Sequence, residues 1–283
     1  MIKLLKYLVP YTGMILCAVA LLFFQATCDL ALPDYMSDIV NTGVMSGNNN
    51  YILKTGGTMI LVTLAGTIAS IMVGYFASMV AAGLAHDLRS KIFRKVECFS
   101  NAEFDKFSTA SLITRTTNDI TQIQTLLVMM VRMVFYAPIL GVGGIIKALS
   151  DSKSMTWIIG VAVITLMGVI ALLFSIVLPK FKMIQKLIDR LNLVIRENLT
   201  GILVIRAFNT QKFEEKRFKK ANDDLTQTSL FVNRTMGAMM PVMMLVMNLT
   251  TVFIVWIGAN QVSSFKMDIG DMMAYMQYAI QII

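Results

Sequence analysis

The 283 residues are 56% apolar and 15% charged, with a mean hydropathy of +0.68. Soluble domains run nearer about one half apolar and about one quarter charged, so this composition argues against a soluble enzyme domain. The formal charge of +8, from 25 Lys+Arg against 17 Asp+Glu, would raise nucleic-acid binding in a soluble chain, but in a membrane protein the position of the charges matters more than their sum.

Residues 1–8 carry Lys3 and Lys6 among Ile2, Leu4, Leu5 and Leu8, and Pro10 follows. This predicts a short amphipathic helix on a membrane surface rather than a cleavable signal peptide. A bilayer core about 30 Å thick takes roughly twenty apolar residues of helix. Residues 13–32 meet that length with only Gln25 and Asp29 interrupting, and 56–85 run without a charge. Residues 120–146 are uncharged except for Arg132, and 155–178 and 235–262 are uncharged throughout. A last apolar segment, 271–283, is too short to span, so a sixth helix cut short, and hence a fragment, is expected.

The connections sort by charge. Twenty of the 25 basic residues fall before the first span, between spans two and three, or between spans four and five. The other side holds Lys54, Lys147, Lys153 and Lys266. The positive-inside rule makes the rich side cytoplasmic, with both termini inside. Topology thus accounts for the net charge, and no nucleic-acid partner is required. Cys17, Cys28 and Cys98 do not read as a disulfide set, because eleven residues of helix hold the first two about 16 Å apart.

The two long inner connections are helical in pattern. Ile188, Leu191, Ile195, Asn198, Ile202 and Ile205 recur at steps of three and four going out, and Phe218, Ala221, Leu225, Thr228 and Val232 coming back. The first excursion repeats this with Leu88, Ile92, Val96 and Phe99, then Leu112, Ile120 and Ile123. Long stalks on one side of the membrane imply that something there is mechanically engaged.

The first excursion reads Glu103-Phe104-Asp105-Lys106-Phe107-Ser108-Thr109-Ala110-Ser111-Leu112-Ile113-Thr114-Arg115-Thr116-Thr117-Asn118-Asp119. It resembles the first intracellular loop of ATP-binding-cassette (ABC) exporters, a Phe-Asp pair followed by Gly-x-Leu-x-Ser-Arg-x-x-x-Asp. Ala110 stands in place of the Gly, Thr114 in place of the Ser, and Ser111 where an acidic residue is frequent. The second carries Glu197-Asn198-Leu199-Thr200-Gly201-Ile202-Leu203-Val204-Ile205-Arg206-Ala207-Phe208, similar to that family's Glu-Gly-Ile signature.

The resemblance spans the whole chain, 1–283, and implies an all-α integral membrane fold. That fold is a six-helix type 1 exporter domain of the bacterial multidrug kind, with long cytoplasmic helical extensions. It implies an inner (plasma) membrane location, and export of an amphipathic drug, lipid or peptide by alternating access. The implied partners are membrane lipid, a second, identical or different, half-transporter, and nucleotide-binding domains that hold ATP and Mg2+. Spans four and five would cross to the opposite half. The excursion tips near 102–107 and 209–215 would dock on those domains, through Glu103, Phe104, Asp105 and Lys106 and through Asn209, Thr210, Gln211, Lys212 and Phe213. The sequence holds no Gly-x-x-x-x-Gly-Lys-Ser/Thr phosphate loop; Gly141-Val142-Gly143-Gly144 reads as small-residue helix packing.

Met236, Met239, Met240, Met243, Met244 and Met247 form a stripe at helical spacing along the fifth span. A substrate cavity lined by Met236, Met240, Met243 and Met247, with Arg132, is one reading, since methionine repacks around dissimilar ligands. Ordinary helix or lipid packing is the other. Arg132 either snorkels to the inner interface or meets an anionic substrate. Gln25 and Asp29 share a helix face, as a polar path or a solvated interface. Pro138 and Pro241 are candidate kinks, and His86 stands alone as a solvated residue. Two rivals from other classes are an ion-driven secondary transporter, which needs mid-membrane ionisable groups, and a membrane scaffold whose stalks bind a cytoplasmic protein.

Overall fold

The computed structural model describes residues 6–100, 104, 107–151 and 155–282. Among them all regular structure is helical. The surface helix expected over 1–8 lies mostly outside them; residues 6–8 form a turn into the 3-10 turn Val9–Tyr11.

The first span becomes α1, Thr12–Asp38, and continues into a π-helical turn, Ile39–Val44. Asn48 caps α2, Asn49–Glu97, by accepting from the Tyr51 amide at 3.1 Å. Its 49 residues reach about 74 Å, far beyond a bilayer, so much of it extends outside as a stalk. Ser108 caps the short helix α3, Thr109–Thr116, and α4 follows over Asn118–Asp151. Then come α5, Thr156–Thr200, and the six-residue α6, Ile202–Ala207. The remaining helices are α7, Gln211–Gly237; α8, Met239–Ser263; and α9, Ile269–Ile282. Among the described residues five helical stretches are long and apolar enough to cross a membrane, and α9 adds 14 apolar-rich residues.

The chain divides into two compact units, Met1–Thr156 with Ile254–Ile282, and Trp157–Phe253. In the first, α1 packs against α2, α4 and α9. Small residues bring α1 and α2 together: Ala18 clusters with Ala77, and a Cβ on Gly66 would sit 3.2 Å from that of Cys28. Leu30 packs with Ala274, Tyr278 and Ile282. Gly143 and Gly144 leave the space that Leu30 and Ile282 fill, as the small-residue reading of that run anticipates. Toward the stalk, Leu84 and Leu88 meet Ile120, with Ile92, Ile123 and Leu127 around them.

In the second unit the less exposed row on α5 runs through half-buried Ile188, Leu191 and Asn198 and buried Val194, so Val194 replaces the expected Ile195. On α7, Ala221 and Val232 are buried and Leu225 and Thr228 half-buried, while Phe218 stays at the exposed edge.

The excursions are more broken than the periodicity predicts. The return limb of the first is divided at Thr117 between α3 and α4, and the outgoing limb of the second is divided at Gly201. There the Gly201 amide bonds the Glu197 carbonyl at 2.8 Å, and a Cβ would press to 3.1 Å from that same oxygen. The fifth span restarts at Ala238, between α7 and α8. Pro241 lacks the N–H that would bond Gly237, so the helix opens one turn before it. Pro138, by contrast, sits inside an uninterrupted α4.

Candidate functional site

Two groups of residues stand out: a ladder of polar bonds inside the first unit, and the stalk tips.

The ladder lies toward the ends of α1, α4 and α9 that are remote from the stalk. Its outermost rung joins α1 to α9. Ser37 Oγ donates to Asp271 Oδ1 at 2.6 Å, and Asn41 Nδ2 to the same oxygen at 3.0 Å. The Gly270 amide donates to Asn41 Oδ1 at 2.7 Å. A Cβ at Gly270 would collide with the Ser37 carbonyl at 2.5 Å, so only glycine admits this approach. Asn41 belongs to the π-helical turn, a local widening that often re-aims a side chain at a working position. Asp271 also sits in the first turn of α9, where the helix dipole favours a negative charge.

The middle rung centres on Asp34. Lys147 Nζ on α4 forms an ion pair with Asp34 Oδ2, and the Tyr278 hydroxyl on α9 donates to Asp34 Oδ1. That hydroxyl also lies 3.1 Å from the Leu30 carbonyl. Next along α1, Asp29 Oδ2 accepts from the Tyr136 hydroxyl on α4 at 2.7 Å, and Gln281 Nε2 reaches the Asp29 carbonyl at 3.4 Å. Gln25 is buried beside them, its Oε1 without a hydrogen-bond partner. One turn from Tyr136, Arg132 donates to Ser70 Oγ on α2 at 2.7 Å.

At the first tip the ring of Phe107 stacks on Phe99, centroids 5.8 Å apart, and the Arg115 guanidinium lies over it at 5.1 Å. Phe104 is exposed. Glu103, Asp105 and Lys106 lie outside the described residues.

At the second tip the chain turns through Phe208, Asn209 and Thr210. Asn209 takes a positive φ of 53°, a conformation asparagine tolerates better than most residues. Thr210 is the N-cap of α7, so Gln211, Lys212 and Phe213 form its first turn and not a separate short helix. Leu203, Phe208 and Phe213 are 77%, 76% and 67% exposed. Behind them Arg217 on α7 bonds Glu197 on α5 at 2.6 Å, and Arg190 pairs with Asp224 at 3.3 Å.

The methionine stripe separates into two rows. Met236, Met240 and Met244 are exposed, and Met239, Met243 and Met247 are half-buried. The break at Ala238 also parts Met236 from the rest. The groove in this unit, about 540 Å3, is lined by Leu173, Gln227, Leu230, Phe231, Arg234 and Thr235 with Ala238, and none of the methionines contributes to it. Arg132 lies near the middle of α4 and donates to Ser70 on the neighbouring α2. His86 is exposed, 3.2 Å from the Asp87 carboxylate.

Sequence reasoning missed Asp34, Ser37, Asn41, Tyr278 and Arg217, and counted Lys147 as a loop charge. The partners in the ladder are remote in sequence across helices, more than one hundred residues away for the Lys147–Asp34 pair. An Asp and a Lys inside or beside apolar runs were the available signal, since such groups persist where they find a partner.

Helices longer than a bilayer is thick, apolar over one part of their length and basic over the other, define a multi-pass membrane protein with helical stalks. The family model of the ABC transporter transmembrane region matches residues 15–283, and the chain belongs to that family. It is 33% identical over 278 residues to an uncharacterized ABC transporter ATP-binding protein of Mycobacterium tuberculosis, covering 98% of this chain and 48% of the relative. A similar uncharacterized ABC transporter ATP-binding protein of Bacillus subtilis is 31% identical over 284 residues, 99% of this chain and 49% of the relative. An ATP-dependent lipid A-core flippase of Pseudomonas syringae pv. tomato is 26% identical over 259 residues, 86% and 42%. The chain thus spans about half the length of the curated relatives it matches.

Proposed function

We propose that this chain is the substrate-translocating membrane domain of an ATP-driven exporter of amphipathic compounds, working by alternating access as one half of a pair. The observation that carries the reading is the second stalk tip. Three large apolar side chains, Leu203, Phe208 and Phe213, stand about two-thirds or more exposed on an ion-paired stalk. Such an exposed apolar patch marks a surface awaiting a partner. A nucleotide-binding domain is that partner, and the ATP and Mg2+ belong there, because this sequence has no phosphate loop. The chain's own residues take up a push at the tips and pass it along the stalks as a rigid-body motion.

The stalks lie in the cytoplasm and the membrane is the cell's inner one, a reading that the excess of basic residues between the spans supports. Lipid is the substrate class that the flippase relative favours. Reconstituting the full-length natural protein and measuring ATP-dependent transport tests the reading. Replacing Phe208 and Phe213 by serine abolishes that transport if the reading is right, and transport left unchanged would refute it.

A further inference from the structure

We propose that the groove between α5 and α7 holds the headgroup of an anionic phospholipid from the adjoining leaflet, with Lys180 and Arg234 on its phosphate. Nothing in this site depends on what the domain transports.

The groove straddles the level at which two uncharged runs end. Leu173 belongs to the run 155–178 and Ala238 to the run 235–262, and both line it. Lys180 comes just after the first run and Arg234 just before the second. From Ala238 back to Gln227 the groove follows α7 into the stalk for about 16 Å. Its volume of about 540 Å3 falls among clefts of roughly 300–1,000 Å3 that hold small ligands.

Two kinds of surface meet there. Leu173, Leu230 and Phe231 make an apolar wall. Beside it, half-buried Lys180 places Nζ 5.7 Å from the centroid of the Phe231 ring, and exposed Arg234 lines the groove itself. Long basic side chains lay their stems on apolar surface and hold their charge at such a boundary.

The charge around the groove is of one sign. On α5 the acidic residue nearest Lys180 is Asp189, about 14 Å farther along the helix, and on α7 the one nearest Arg234 is Asp224, about 15 Å away. Deeper in the stalk Arg190 pairs with Asp224 and Arg217 with Glu197. Among the described residues no carboxylate pairs with Lys180 or Arg234. A soluble anion would satisfy the cations and leave the wall bare, and a neutral lipid would do the reverse. An anion carried on hydrocarbon satisfies both, and basic pockets between membrane helices bind anionic headgroups in this way. A guanidinium holds phosphate through paired N–H bonds and an ammonium as a point charge.

The test uses the full-length natural protein with Cys17, Cys28 and Cys98 replaced by serine and a fluorophore on Met236→Cys, an exposed position outside the groove lining. The protein is placed in phosphatidylcholine vesicles containing a small fraction of phosphatidylglycerol or phosphatidylcholine with a nitroxide on its acyl chain. Quenching against mole fraction gives the relative affinity of the two lipids. Phosphatidylglycerol is expected to be preferred by about twentyfold. Arg234→Gln and Lys180→Gln should each cut that preference about fivefold, the share of one basic residue at an anionic membrane surface. Arg234→Lys keeps most of it, which separates charge from folding, and Lys266→Gln, in the connection between α8 and α9, leaves it unchanged.

Equal quenching by the two lipids, or a preference unmoved by either Gln variant, overturns the proposal. Glycerol phosphate in excess is expected to leave the quenching intact. Displacement by it would assign the groove to a soluble anion and overturn the lipid. The measurement needs no ATP, so a protein that shows the preference yet exports nothing refutes the export reading and leaves this site standing.

Discussion

Glu197 on α5 and Arg217 on α7 meet at 2.6 Å across the second stalk, four residues before the glycine at which the outgoing helix breaks. Arg217 also lies 3.6 Å from Glu214, so one guanidinium spans both limbs just behind the exposed tip. Each of the Glu197 and Arg217 side chains is partly exposed, and the pair therefore contributes at most about 1 kcal/mol to stability. Its larger effect is positional. Glu197→Gln is expected to leave the melting temperature within a few degrees of the parent, yet lower transport per ATP hydrolysed several-fold. Thermal unfolding in detergent and coupled transport, measured on the same preparation, separate the two. A large loss of stability with normal coupling would contradict the positional role.

The tip itself makes a sharper prediction. Burying a large apolar side chain is worth about 1.5–3 kcal/mol. Phe208→Ser or Phe213→Ser should weaken docking of a nucleotide-binding domain by about tenfold or more. Both side chains are already exposed, so neither substitution disturbs the packing of the stalk. Expression and membrane insertion stay normal while substrate-stimulated ATPase activity falls. Unaltered stimulation in both variants would remove the tip from the coupling path.

Much of this architecture is legible in the sequence, and the failures share a cause. Apolar length alone locates the spans, because the bilayer imposes one strong and local requirement on them. The pairing of Leu88 and Ile92 with Ile120 and Ile123 is likewise written in helical spacing. Helical spacing carries no record of a restart, however, so the methionine stripe looks continuous until Ala238 divides it. Pro241 was the available signal for that break. The ladder is legible only in part: Asp29 and Arg132 stand out inside apolar runs, but their partners Tyr136 and Ser70 are ordinary membrane-helix residues. Ser37, Asn41 and Asp271 sit near helix ends, where polar residues attract no notice. Their meeting is a property of the folded bundle alone.

Glycine substitutions distinguish close approach from ordinary helix. At Gly270 a methyl group would meet the Ser37 carbonyl at 2.5 Å and Asn41 Oδ1 at 2.6 Å. Gly270→Ala is expected to destabilise by about 1–3 kcal/mol, the usual cost of overpacking. Gly56 has nothing within 4 Å of its added Cβ, and Gly56→Ala is expected to be neutral or stabilising, since alanine is favoured over glycine in a helix. Melting temperatures of the two variants in one detergent should fall on opposite sides of the parent or nearly so. Equal effects would mean that α9 does not approach α1 as described.

The native cysteines test orientation without any engineering. Cys98 is exposed just past the end of α2, and Cys28 is buried against Gly66. A membrane-impermeant maleimide should modify Cys98 in inside-out vesicles and spare it in right-side-out ones, while Cys28 reacts in neither. Labelling of Cys98 from the outer face would invert the topology.

On the proposed function ATP, and not an ion gradient, drives this bundle. Inside-out vesicles carrying the full-length natural protein are supplied with a fluorescent amphiphile, with or without ATP, and with or without a proton ionophore. Accumulation is expected to require ATP and to persist with the ionophore. Accumulation that needs no ATP and collapses with the ionophore would contradict it.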